Sequence, residues 1–109
     1  MPRSEMPPGT LVMLILRVIQ HTRLHGYVIA QRIKLLSGDV LQVEEGSLYP
    51  ALQRMLLNGW VKAEWGTSET GRRVRFYKLT AVGRKQLASE LADYERSNEA
   101  ILAVLRGAQ

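Results

Sequence analysis

Between Leu11 and Ile19 the chain places eight apolar residues and one charge, Arg17, in nine positions. The run is far short of the roughly 20 apolar residues that a membrane span needs. Thr10 ahead of it offers an N-cap side chain, and the length to Gln20 favours a helix, although periodicity alone also admits a buried strand. As a helix it is apolar nearly all the way round, so it must be covered on more than one side. A chain of 109 residues has room for one domain with a modest core. Covering this helix therefore points to help from a second copy.

Composition narrows the class. Apolar residues make up 46% and charged residues 23%, the balance of a globular chain. The absence of cysteine excludes disulfides, a thiolate nucleophile and a thiolate metal site. Met1-Pro2-Arg3-Ser4-Glu5 lacks the basic-then-apolar plan of a signal peptide, so the expectation is a soluble cytoplasmic domain. Charge is unevenly spread. Residues 1–85 carry thirteen basic and six acidic side chains, residues 86–109 two and four. A basic body with an acidic tail suggests a polyanionic partner for the body and a different one for the tail.

Local signals give the order of elements. Pro7-Pro8-Gly9 closes a flexible leader over residues 1–9. After the first helix, His25-Gly26 opens a second that runs to Leu36, with Tyr27, Ala30, Ile33 and Leu36 expected inside and Gln31, Arg32 and Lys34 outside. Ser37-Gly38-Asp39 breaks it, and Val40 to Val43 reads as short and extended. Gly46-Ser47 opens a third helix, in which Pro50 is expected to sit within the first turn, where no intrahelical N–H bond is lost. Leu48, Leu52 and Met55 mark its inner face, and Asn58-Gly59 ends it. Trp60 to Gly66 alternates with Val61, Ala63 and Trp65 on one side, Thr67 to Gly71 is turn chemistry, and Arg72 to Leu79 returns as a second strand. Thr80 then caps a terminal helix from Ala81 to Arg106, about 40 Å long. Three short helices, a two-stranded hairpin and a long last helix make an α+β, mainly helical, winged helix-turn-helix. Residues 10–80 would form the DNA-binding domain and 81–109 a dimerisation helix.

Three groups of side chains carry chemistry in this arrangement. Ser47, Tyr49, Pro50, Gln53 and Arg54 face outward near the start of the third helix, and Ser, Gln and Arg suit base edges and phosphates. An ordinary solvated face would look the same. Arg72, Arg73, Arg75 and Lys78 put four cations in seven positions of the hairpin with no acid among them. Such a cluster can straddle a phosphate backbone, and it would also guard an edge strand against pairing. Leu87, Leu91, Tyr94, Asn98, Ile101 and Leu105 follow a heptad alternation along the last helix, with Asn98 in an a-type position where a buried amide fixes register. This seam can face a second copy or pack on its own domain against the first helix, whose Leu11, Leu14 and Ile15 would join the interface.

Other candidates carry less. His21 and His25 have the spacing of a helical metal pair, but a helix break is expected between them and no third ligand is near. His25 at a helix start better suits a cap or a phosphate contact. Tyr27, Trp60, Trp65 and Tyr77 are expected in core and hairpin packing. No phosphate-cradling Gly-Lys-Ser/Thr loop and no nucleophile elbow is present, so neither catalysis nor a cofactor or metal is expected.

Taken in order, these residues resemble the PadR family of bacterial transcriptional regulators, in its subgroup with one short terminal helix. The resemblance is carried by His25-Gly26-Tyr27, Gly46-Ser47-Leu48-Tyr49-Pro50-Ala51-Leu52-Gln53-Arg54, Gly59-Trp60, Trp65-Gly66, Ser68-Glu69, Arg72-Arg73, Phe76-Tyr77-Lys78-Leu79-Thr80 and Gly83-Arg84, over roughly residues 9 to 90. It implies a homodimeric repressor with a recognition helix at about 47–58 and a wing at about 66–73. By position Ser47, Tyr49, Gln53 and Arg54 would address the major groove, and Arg72, Arg73 and Arg75 the flanking phosphates. The terminal helix would dimerise, often with the partner's first helix. Some members of the family respond to drugs or phenolic compounds and many have no known inducer. This chain departs from the pattern at Leu56, where an acid is common, and in offering only Tyr94 where drug-sensing members carry a tryptophan.

Two functions from different classes follow. The first is a dimeric regulator, in most cases a repressor, on double-stranded DNA with a near-palindromic operator, with a small-molecule inducer open as a further partner. The second is a protein-interaction module on the same scaffold, supported by the apolar first helix and acidic tail and opposed by the unopposed hairpin cations.

Overall fold

A computed structural model describes residues 9–107, and the expected leader lies outside them except for Gly9. Four helices and three strands follow in the order α1 (Thr10–Val18), β1 (Leu24–His25), α2 (Gly26–Leu36), α3 (Glu45–Leu57), β2 (Val61–Thr67), β3 (Arg73–Leu79) and α4 (Ala81–Gly107). The strands form one antiparallel sheet in the order β1-β3-β2. This is the α+β winged helix-turn-helix expected from the sequence, with one strand more than the hairpin alone.

The core is aliphatic. Ile15, Leu16 and Ile19 from α1 and its end meet Ile29 and Ile33 of α2, Leu48, Ala51, Leu52 and Met55 of α3, Val61, Tyr77 and Leu79 of the sheet, and Leu87 of α4. Removing each large side chain of this set from water is worth roughly 2 kcal/mol. Among the described residues no polar side chain is buried. The nearly all-apolar α1 is explained by its central position, with α2, α3 and α4 all packed against it. Leu11, Val12, Leu14 and Val18 remain only partly covered.

Several local expectations are corrected. Gly9, at φ +82°, occupies the N-cap position of α1, and Thr10 is its first helical residue. In α2 the buried face is Gly26, Ile29 and Ile33, while Tyr27 and Leu36 stand out in solvent at 65% and 71% exposure. Steps of three residues drift by about 60° each on a helix of 3.6 residues per turn, so positions nine apart face opposite ways. Pro50 is the sixth residue of α3, beyond the first turn. The carbonyl of Gly46 therefore gets no N–H from it, a local cost to the helix.

The start of α4 is locked from both sides. Thr80 Oγ1 accepts the Gly83 N–H at 3.0 Å and lies within donor range of the carbonyls of Gly59 and Trp60, at 2.6 and 3.0 Å. A Cβ on Gly83 would stand 2.1 Å from the Trp60 carbonyl oxygen, so only glycine lets the helix approach β2 this closely. Beyond Leu87 the helix leaves the domain. Leu91, Tyr94, Ile101, Val104 and Leu105 are exposed. The radius of gyration is 15.5 Å, against about 13 Å for a compact chain of this length, and the longest dimension is 58 Å.

Candidate nucleic-acid interface

The helix α3 is held by its buried row Leu48, Ala51, Leu52 and Met55, which turns Ser47, Tyr49, Pro50, Gln53 and Arg54 outward, as expected. Tyr49 is half exposed, and its ring lies across the backbone of Gly26 at the start of α2: a Cβ there would meet the Tyr49 hydroxyl at 2.9 Å and Cε1 at 3.0 Å. The beginnings of α2 and α3 are thereby stapled side by side. His25 occupies the N-cap position of α2 without a side-chain cap, and its ring sits edge-on to Phe76 with centroids 5.7 Å apart.

β1 is the element that sequence periodicity could not reveal. Its two residues pair with β3, Leu24 with Tyr77 and His25 with Phe76, and so tie the wing to the start of α2. Arg23, just before it, lies 4.2 Å above the Phe76 ring and is bonded to Glu64 at 2.6 Å. Phe76 also leaves no room for a side chain at Gly66, where a Cβ would come within 2.7 Å of its ring and 3.6 Å of Arg23 Nη2. Arg23 is thus a structural cation, already neutralised.

The hairpin separates its cations by strand alternation. Arg73 and Arg75 share one face of β3 with Tyr77 and Leu79, while Lys78 pairs with Lys62 on the opposite face. Lys78 therefore does not join the arginine cluster expected for it. Arg72 precedes the strand, in a turn closed by Ser68: its N–H reaches the Arg72 carbonyl at 2.8 Å, and its hydroxyl accepts the Arg72 N–H at 3.2 Å. Gly71, at φ +83°, completes this turn by donating to the Ser68 carbonyl at 2.9 Å. Trp65 faces the arginines rather than the core, 61% exposed, because β2 runs past the last core layer at Ala63. Arg73 lies 4.6 Å above the indole, and Arg75 is 5.9 Å from the Tyr77 ring.

These surfaces meet around one cleft of about 1190 Å³ between the wing and the starts of α2 and α3. His25, Tyr49, Arg72, Arg73 and Arg75 line it, as do Arg23, Tyr27, Gln31, Arg32 and Trp65, which sequence reasoning did not assign to a site. Tyr27 accepts a bond from Gln31 Nε2 at 3.0 Å, one helical turn away on the same face, a spacing that could have flagged the pair. Ser47, Pro50, Gln53 and Arg54 lie outside the cleft lining, on the exposed side of α3. Glu45 and Glu69 are the acids at its rim.

The proposed seam on α4 is divided. Leu87 belongs to the core of its own chain, whereas Leu91, Tyr94, Asn98, Ile101 and Leu105 are exposed along the projecting part. On α1, Ile15 is likewise sealed in its own core at 0% exposure, and Leu11 and Leu14 keep some surface. Ile15 and Leu87 have next to nothing left to offer a second copy. Among the described residues no group of three or more His, Cys, Asp or Glu is placed to hold a metal ion, and no helix is long and apolar enough to cross a membrane.

The fold has close counterparts. A transcriptional regulator from Clostridium thermocellum superposes with a TM-score of 0.78 at 27% identity, over 85% of this chain and 90% of the other. A PadR family transcription regulator from Clostridium difficile gives 0.77 at 25% identity, over 89% and 99%. Bacillus subtilis PadR, whose structure was determined in complex with operator DNA, gives 0.66 at 24% identity, over 75% of this chain and 47% of that one. The model of the transcriptional regulator PadR-like family matches residues 15–89, including α2, α3, the whole sheet and the start of α4. The chain belongs to the PadR-like family of transcriptional regulators.

Proposed function

We propose that the chain acts as a homodimeric, sequence-specific DNA-binding regulator, a repressor that works by covering promoter DNA. The observation that carries this reading is an exposed polar face on α3 beside an open cleft that Tyr49 of the same helix lines together with Arg72, Arg73 and Arg75. Among the described residues none of these three arginines is in an ion pair, so their charge is available to a polyanion. In this reading α3 enters the major groove, with Ser47, Gln53 and Arg54 towards base edges. The wing arginines and His25 then follow the phosphate backbone in the cleft.

Dimerisation is supported by Leu91, Tyr94, Ile101 and Leu105, which are exposed on a helix that leaves its own domain. A second copy on that seam, with Leu11 and Leu14 at its edge, would give a two-fold dimer and a near-palindromic operator with half-sites about 34 Å apart.

The deciding experiment is fluorescence anisotropy of labelled duplex from upstream of the protein's own gene, beside a shuffled duplex, across a salt series. The regulator reading expects tighter binding to the upstream duplex and a log K against log salt slope near −7, for about four phosphates per subunit. Weak, equal and salt-insensitive binding to both would overturn it.

A further inference from the structure

The two tryptophans of this chain have different fates: Trp60 is half-buried beside the core, while Trp65 stands 61% exposed on the wing. An exposed indole costs solubility and does nothing for the core, so what it touches matters. On β2 it stands directly opposite Arg75 and diagonal to Arg73, which pairs with Thr67. Diagonal neighbours on one face of an antiparallel pair are within reach of aromatic and long side chains. Arg73 uses that reach, with its guanidinium carbon 4.6 Å over the ring.

The same chain shows a stacked arginine with a different role. Arg23 lies over Phe76 but is also bonded to Glu64, so its charge is spent within the fold. Arg73 has the ring without the acid. Stacking fixes the plane of a guanidinium while leaving its edge N–H groups free to donate in the fork that matches a phosphate. An unstacked arginine would lose more side-chain freedom on making the same contact.

We propose that Trp65 is a positioning residue for backbone contact: its indole face holds Arg73 at the cleft with the guanidinium edge presented to a DNA phosphate. This rests on the DNA-binding reading and adds to it a residue that is not itself a cation. The role concerns phosphate, not base sequence, so a shuffled duplex is sufficient to test it.

The test uses the full chain and a labelled shuffled duplex, with Trp65→Leu, Trp65→Phe, Arg73→Gln and the double variant Trp65→Leu with Arg73→Gln. Trp65→Leu is expected to weaken binding about fivefold and to flatten the salt slope by about 1 per subunit, as Arg73→Gln does. Its thermal midpoint should stay within about 3 °C of wild type, because the side chain is outside the core. Trp65→Phe, which keeps a ring face, should recover most of the loss. The double variant should bind no worse than Arg73→Gln alone. As a readout that does not depend on the leucine variant, Arg73→Gln should alter the Trp65 emission, taken as the difference between wild type and Trp65→Phe.

Trp65→Leu binding with wild-type affinity and slope would overturn the role while leaving the DNA reading intact. So would effects that multiply in the double variant, or a Trp65→Phe as weak as Trp65→Leu. A wild type that binds neither the upstream nor the shuffled duplex would overturn the DNA reading and this role together.

Discussion

The ring of Tyr49 lies across Gly26, so close that a methyl group there would come 2.9 Å from its hydroxyl. Gly26 begins α2 and Tyr49 is in the second turn of α3, so one van der Waals contact sets how the two helices present their starts to the cleft. The atoms facing Gly26 are the far end of a half-exposed side chain, which can swing outward. Gly26→Ala should therefore leave stability within about 1 kcal/mol, since alanine is also the better helix residue. It should weaken DNA binding by displacing the tyrosine. Thermal unfolding beside anisotropy separates the two effects, and a large loss of stability with normal binding would refute the assignment.

Gly83 meets backbone instead. A Cβ there would stand 2.1 Å from the Trp60 carbonyl oxygen and 2.6 Å from Leu79 Cδ1, and the carbonyl cannot retreat without pulling β2 off α4. Gly83→Ala is expected to cost about 3 kcal/mol, at the upper end for overpacking. Chemical denaturation at equilibrium would show it as a lower midpoint.

Arg54 and Arg72 should fail in different ways. Arg54 is on the exposed side of α3 and Arg72 is at the turn of the wing. Arg54→Ala should relax the preference at one or two base pairs of the operator, whereas Arg72→Gln should weaken all duplexes alike and lower the salt slope by about 1 per subunit. Binding measured on an operator and its single-base variants decides this. A base preference unchanged by Arg54→Ala would remove that residue from the readout.

Asn98 sits among the exposed apolar residues of α4, between Tyr94 and Ile101. A lone amide in such a seam trades stability for a single register. Asn98→Leu should tighten the proposed dimer or broaden the distribution of oligomers in sedimentation velocity. Neither change would mean that Asn98 lies outside the interface.

Much of this architecture is readable from spacing. The inner row Leu48, Leu52 and Met55, the stop at Asn58-Gly59 and the cap at Thr80 all act within one or two helical turns, where pattern and mechanism coincide. β1 escaped because two residues pairing with a strand some fifty positions away leave no local period. Alternation places Trp65 on the side of Val61 and Ala63, which gives its face of the strand but not where the core beneath that face ends. The split of Lys78 from Arg73 and Arg75 follows from the same alternation, whereas a count of cations along the chain does not reveal it. Tyr27 and Arg32 could not be placed at the cleft before the wing was known to fold over α2.

The free length of α4 has a consequence for a chain without a partner. From residue 88 to 107 the helix finds almost nothing of its own chain to lie on, and most helical stability in proteins comes from packing of a face rather than from intrinsic propensity. A solitary chain would therefore fray there and expose about five turns to proteases, while an associated one would not. If the proposed dimer forms, dilution would uncover that segment, because chains too sparse to find each other would leave it without support.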